Sequence, residues 1–292
     1  MPRQLNAAVQ LKKILQESGF ITMPCCYDAL SAKLIAQAGF KLTFMSGFAV
    51  AAARLGLPDT GLISYGEMAD QLKNICSAIK IPVIADGDTG YGNAVNVKRT
   101  VHGYIQAGAA GIMIEDQKSP KRCGHTTGKE VIDRKEAVIR LKAAIEAQKE
   151  ANTDGKDIVI MARTDARATL GLNEAIERAK MFADMGADIL FVEAPCSEEE
   201  METICITAPG CHMANMVEHG KTPVLSPARL AELGYKIAAY PLTLLSASVY
   251  AMKKALAGLK KGESINTIMD FKELQSILGF PEYDETLRRI EE

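Results

Sequence analysis

Two carboxylates one residue apart, Asp86 and Asp88, follow the apolar run Pro82-Val83-Ile84-Ala85 and stand among Gly87, Gly90 and Gly92. A short apolar run that ends in turn formers reads as a buried strand, and strand residues two apart point the same way. The pair could therefore face one small hard cation, for which oxygen donors are suited, or another polar ligand. A plain strand followed by an Asp-Gly turn fits the same letters. A second reactive cluster lies in the segment Asp116–Lys129, where Lys121 and Arg122 precede Cys123 and His125 follows it by two positions. Cationic neighbours favour the thiolate and make the thiol a competent proton donor near neutral pH. A nucleophilic thiol and an exposed basic loop with an incidental cysteine remain the alternatives.

These residues need elements to position them, and the chain supplies a repeating one. Four segments, AGFKLTFMSG, AGAAGIMIED, MGADILFVEA and LGYKIAAYPL, each follow a helix-like stretch. In each, a glycine (Gly39, Gly108, Gly186, Gly234) stands seven residues before the residue that ends the apolar run: Ser46, Glu115, Glu193 and Pro241. Glycine past a helix end, then a loop, then a strand, is an αβ connection. Further strands read near residues 21, 84, 160 and 213, which makes eight with those near 43, 113, 190 and 238. Eight alternating βα units on this length predict a closed (β/α)8 TIM barrel, with its site at the carboxyl ends of the strands. At those ends stand Ser46-Gly47, Asp86, Asp88, Glu115-Asp116, Arg163, Asp165, Glu193, Asn215 and Glu218.

Beyond the eighth strand, Pro241 to Leu259 reads as a helix and Ile268 to Leu278 as a second amphipathic one. Gly279-Phe280-Pro281 then reads as a break before a charged tail. The whole, 1–292, is expected to be a single barrel domain with a C-terminal helical extension from about residue 259. A helix past the eighth unit has nothing left to cover on a closed barrel, so it suggests packing on a neighbouring subunit.

Composition narrows the function classes. A net charge of −2 argues against a broad nucleic-acid or anionic-membrane surface, since both need a basic excess. Seven scattered cysteines without C-x-x-C spacing fit reduced thiols in a cytoplasmic setting. Charged residues interrupt every long apolar stretch, so no membrane association is expected.

The blocks Asp86-Gly87-Asp88-Thr89-Gly90, Ile114-Glu115-Asp116-Gln117, Lys121-Arg122-Cys123-Gly124-His125 and Met161-Ala162-Arg163-Thr164-Asp165-Ala166 run in unbroken order. Together they resemble the isocitrate lyase/phosphoenolpyruvate mutase superfamily between about Gly19 and Ala257, and the Cys123 block resembles its carbon-carbon lyases. The resemblance implies a Mg2+-dependent barrel, with Mn2+ as a substitute, assembled as a homotetramer that swaps its eighth helix. It implies Asp88 as the direct metal ligand, with Asp86 and Glu115 acting through water. Ser46 and Gly47 would hold the substrate's oxyacid end with Arg163, while Phe48, Asp59, Glu193 and Asn215 line the pocket. Cys123 would be the general acid, with Lys121, His125 and Arg163 in the catalytic set.

The implied partner is a small-molecule 2-hydroxydicarboxylate. Ser46 to Asp59, with its bulky Phe48, resembles the lyases of 2-alkylmalates, which implies cleavage of 2,3-dimethylmalate to pyruvate and propionate. Methylisocitrate cleavage, oxaloacetate hydrolysis and, from another class, a non-catalytic metabolite-binding barrel are the alternatives. A phosphonate mutase or hydrolase is less expected, because those relatives generally lack the Lys121–His125 type of block. Tyr27, at the end of the first strand, stands as a candidate base or a packing residue.

Overall fold

The computed structural model describes residues 6–124, 128–153 and 155–292. His125, one of the expected catalytic residues, lies outside them. The chain divides into a part up to Thr243 and a second unit, Leu244–Glu292.

The first part is a closed barrel of eight parallel strands in sequential order. These are β1 (Ile21–Cys26), β2 (Thr43–Met45), β3 (Val83–Asp86), β4 (Gly111–Glu115), β5 (Val159–Thr164), β6 (Ile189–Val192), β7 (His212–Asn215) and β8 (Tyr235–Tyr240). β8 pairs with β1 to close the ring, Ile21 lying opposite Ile237. The eight expected strands are all present. The four spaced glycines take positive φ, between 84° and 98°, a conformation that a side chain would strain.

Pleat parity explains the inside of the ring. Phe44, Ile84, Met113, Met161, Phe191, Met213 and Ala239 form one buried cluster with Met23 and Cys25 of β1. Two residues further along each chain come Ser46, Asp86, Glu115, Arg163, Glu193, Asn215 and Pro241. The alternation that fills the barrel with apolar chains thus delivers a polar or turn residue to its carboxyl rim. At the opposite end, helix α1 (Ala7–Gln16) puts Leu11, fully buried, into the same cluster. Its spacing of Ala8, Leu11 and Ile14 is the amphipathic signal that reading the chain for βα units passed over.

Two expectations need correction. Asp88 does not share a face with Asp86 through strand geometry, because β3 stops at Asp86 and Asp88 sits in a turn with φ 48°. The turn brings the two together by another route: the Asp88 N–H donates to Asp86 Oδ1 at 3.0 Å. In the second unit, Gly279 ends helix α12 (Phe271–Leu278), but the chain then continues as helix α13 (Phe280–Glu291). Pro281 falls in its first turn, where a missing N–H is tolerated. Neither these helices nor α11 (Thr243–Lys261), which leads into the unit, contains a buried residue. No helix among the described residues is long and apolar enough to cross a membrane.

Candidate active site

One cavity at the carboxyl rim is lined by Ser46, Phe48, Asp59, Asp86, Glu115, Lys121, Cys123, Arg163, Glu193 and Asn215. Every expected site residue in the described chain faces it except Gly47 and Asp88, which touch residues that do. Phe44, Met113, Phe191, Val217 and Leu242 give it an apolar wall. Tyr27 does not line the cavity. Its backbone N–H donates to Ser31 at the start of the following helix, which fits a local structural role.

The floor is a chain of buried charges. Ser46 caps helix α3 (Gly47–Leu55), and the Gly47 N–H donates to Asp86 Oδ2 at 3.2 Å. A Cβ on Gly47 would lie 2.5 Å from that oxygen, so glycine permits the approach. Arg163 Nε lies 3.3 Å from Glu115 Oε2 and 2.7 Å from Asp165 Oδ2, while Nη2 lies 3.0 Å from Glu193 Oε2. Asn215 Nδ2 donates to the same Glu193 oxygen at 3.2 Å. Glu115 and Asp116 are adjacent and opposite in role: Glu115 points inward, whereas Asp116 accepts from Arg178 and from the Asp165 N–H.

Lys121, expected in the catalytic set, has partners that its place in the chain does not suggest. Its Nζ sits 2.5 Å from Asp59 and 2.7 Å from Asp88, all three buried. The ammonium expected to favour the Cys123 thiolate is therefore engaged by two carboxylates, one of them the expected direct metal ligand. Burial opposes its charge, but Asp88 and Asp59 hold its pKa well above the usual lysine range. Desolvation pushes Asp86 up to about 6, reinforced by the neighbouring Asp88 charge. Burial likewise pushes Glu115 well up, and Arg163 opposes it only in part. Asp165 goes the other way, because Arg163 and Lys129 together overcome its burial and hold it low.

The donor set fits a hard divalent cation that keeps part of its water. Glu115 Oε1 is a buried oxygen with no hydrogen-bond partner, and Asp86 and Asp88 stand beside it as oxygen donors. Among the described residues no three acidic, histidine or cysteine side chains converge into a ready cage. Mg2+ does not need one, since it is commonly held by one or two carboxylates and several waters. Lys129 and the Asp165 link are the site features that the sequence reading missed. The only signal for them was a lysine closing the reactive loop.

Comparison with known proteins agrees with this geometry. A 2,3-dimethylmalate lyase of Eubacterium barkeri is 41% identical, covering 98% of each chain. A chloroplastic carboxyvinyl-carboxyphosphonate phosphorylmutase of Arabidopsis thaliana is also 41% identical, over 94% of this chain and 81% of that one. A 2-methylisocitrate lyase of Aeropyrum pernix is 36% identical, over 97% and 92%. Among solved structures, an oxaloacetate acetylhydrolase in complex with 3,3-difluorooxalacetate superposes with a TM-score of 0.92 at 33% identity, covering 96% of each chain. A phosphonopyruvate hydrolase complexed with oxalate and Mg2+ superposes at 0.83 with 29% identity, covering 98% of each. The names span carbon-carbon lyases and phosphonate enzymes. With residues 11–260 matching the phosphoenolpyruvate phosphomutase model and a 41% identical relative covering 98% of each chain, the chain belongs to the phosphoenolpyruvate mutase/isocitrate lyase superfamily.

Proposed function

We propose that the protein is a Mg2+-dependent carbon-carbon lyase that cleaves a 2-alkylmalate, with 2,3-dimethylmalate split to pyruvate and propionate as the preferred reaction. The observation that carries this reading is the shared cavity. Cys123, Arg163 and rim acids line it together with apolar side chains that include Phe48, Val217 and Leu242. A dicarboxylate with alkyl branches matches such a mixed lining, and a relative covering almost the whole chain bears the matching name.

Asp88, with Asp86 and Glu115, would hold the cation. Bound there, it would supply positive charge to the hydroxyl oxygen that becomes the keto group. Arg163, Ser46 and Gly47 would orient the oxyacid end, and Asn215 and Glu193 fix Arg163 in place. The C2 hydroxyl gives up its proton to a base, its oxygen becomes the keto oxygen as the C2–C3 bond breaks, and the electron pair of that bond stays on C3 as the enediolate of the departing acid. Cys123 gives its proton to that carbon, which releases propionate. Phe48 fills the space that the longer acid of methylisocitrate would occupy. The protein is read as a cytoplasmic homotetramer, with the C-terminal helices as an extension of the one barrel domain that serves assembly.

The test is product release from a panel of 2-substituted malates and methylisocitrate, read as pyruvate, and from oxaloacetate, read as oxalate and acetate, with Mg2+ and with a chelator. Highest kcat/KM on 2,3-dimethylmalate, lost on chelation and restored by Mg2+, supports the proposal. Faster turnover of methylisocitrate, or oxalate and acetate from oxaloacetate as the main products, would replace it.

A further inference from the structure

Lys129 closes the reactive loop and makes contacts that the scheme above does not use. Its Nζ donates to the backbone carbonyl of Gly124, the residue after Cys123, and to Asp165 Oδ1 at 2.9 Å. The lysine side chain is only 2% exposed and that of Asp165 not at all. Asp165 is itself anchored on the barrel: it accepts from Arg163 Nε at 2.7 Å and Nη2 at 3.1 Å, and its N–H donates to Asp116. One ammonium thus ties a carbonyl beside the thiol to a carboxylate fixed in the floor.

The packing of Gly124 points the same way independently. A Cβ there would lie 2.5 Å from Arg163 Nη2 and 2.6 Å from Cγ and Cδ of Glu193. The backbone next to Cys123 therefore rests directly on two floor residues, with no room for a side chain. Such a close seat needs something to hold it. A buried charge-assisted hydrogen bond is about twice as strong as a neutral one.

We propose that Lys129 is a positioning residue that fastens the Cys123 segment over the cavity through the Gly124 carbonyl, so that the thiol stands where the departing carbon needs its proton. The inference rests on Cys123 as the general acid. Lysine suits the task because one ammonium can donate to a carbonyl and a carboxylate at once. Methionine would fill a similar volume and donate to neither, while Asp165 would keep Arg163 as its partner.

The first test needs no turnover. Cys123 is alkylated with iodoacetamide and followed by peptide mass spectrometry, with the exposed Cys196 as internal reference. Lys129→Met should speed labelling of Cys123 relative to Cys196 by about tenfold, as a population shift of that size requires; an unchanged ratio overturns the proposal. Lys129→Gln, which keeps a donor but no charge, takes over if the methionine protein does not fold. It too must label faster than the wild type, and a wild-type rate overturns the proposal.

The second test is a double-mutant cycle on pyruvate release. Lys129→Met should lower kcat about 100-fold with KM changed about threefold at most, the size expected for losing a placed proton donor. In a Cys123→Ser background the same change should cost about threefold or less, because the residue it places has gone. Full additivity would mean that Lys129 supports only the fold, and would overturn the inference. A wild type without lyase activity would sink the substrate assignment alone and leave the labelling result standing.

Discussion

Arg163 shows how tightly single residues at this site depend on one another: its guanidinium serves Glu115, Asp165 and Glu193 together. Roles on such a network separate only when each substitution is read through binding and turnover independently. Cys123→Ser should lose about 10²–10⁴-fold in kcat yet still bind pyruvate with Mg2+ by calorimetry, because it removes a proton donor and no anchor. Asp88→Ala should lose both binding and turnover in the same two assays. Phe48→Ala should move the kcat/KM ratio of methylisocitrate to 2,3-dimethylmalate upward by about tenfold, the scale of pocket-filling discrimination. Which residues gather at one rim could be read from the chain, since acids and a thiol recur at strand ends and in one long loop. Which residues pair could not. Lys121 meets Asp59 and Asp88 from 62 and 33 positions away, and only the folded turn with its positive φ at Asp88 brings them within reach.

At the scale of elements, four strands were legible because each glycine-led unit repeats the same distance to its rim residue, and the other four from apolar runs between helical stretches. The helices around them were less so. Helix α1 stands outside the βα repeat, yet its Leu11 packs into the same cluster as the barrel interior. Leu11→Ala should therefore lower stability by about 2–5 kcal/mol, as for other fully buried leucines, and thermal unfolding would show it with little change in KM. Strand β7 carries a different liability. His212 is 1% exposed, its Nε2 faces the Ala208 carbonyl, and burial depresses its pKa below the ordinary 6.5. Above pH 6.5 folded and unfolded chains are both neutral there, so this group contributes no pH dependence. Below it the unfolded chain takes up a proton that the folded chain resists, and stability falls toward the depressed folded value. Melting temperature should thus drop between pH 7 and 5, and His212→Gln should flatten that slope. A slope unchanged by the substitution would assign the acid loss elsewhere.

For the whole molecule, the second unit is the part that the single chain leaves unfinished. Helices α12 and α13 expose Phe271, Phe280, Tyr283 and Ile290 by half or more, and α11 does the same with Tyr250 and Leu256. Exposed apolar surface on this scale marks an interaction face. The proposed homotetramer would sediment at four times the 31.5 kDa chain mass, and Leu256→Asp with Phe271→Asp should shift it to smaller species. A wild type sedimenting as a monomer would remove the assembly role. The charges buried at the rim carry one more consequence, for the timing of catalysis. Among the described residues Asp59 and Asp88 pair with Lys121, Asp165 with Lys129 and Arg163, and Glu115 and Glu193 with Arg163, so carboxylates crowd this mouth. Under the proposed function, a dianion diffusing toward this acid-rich mouth should meet repulsion until a counter-ion has arrived, so the expected order is cation first, hydroxyacid second. Initial-rate patterns in which the ion acts as an obligatory leading reactant, rather than one partner of a random pair, are the kinetic signature of that imbalance.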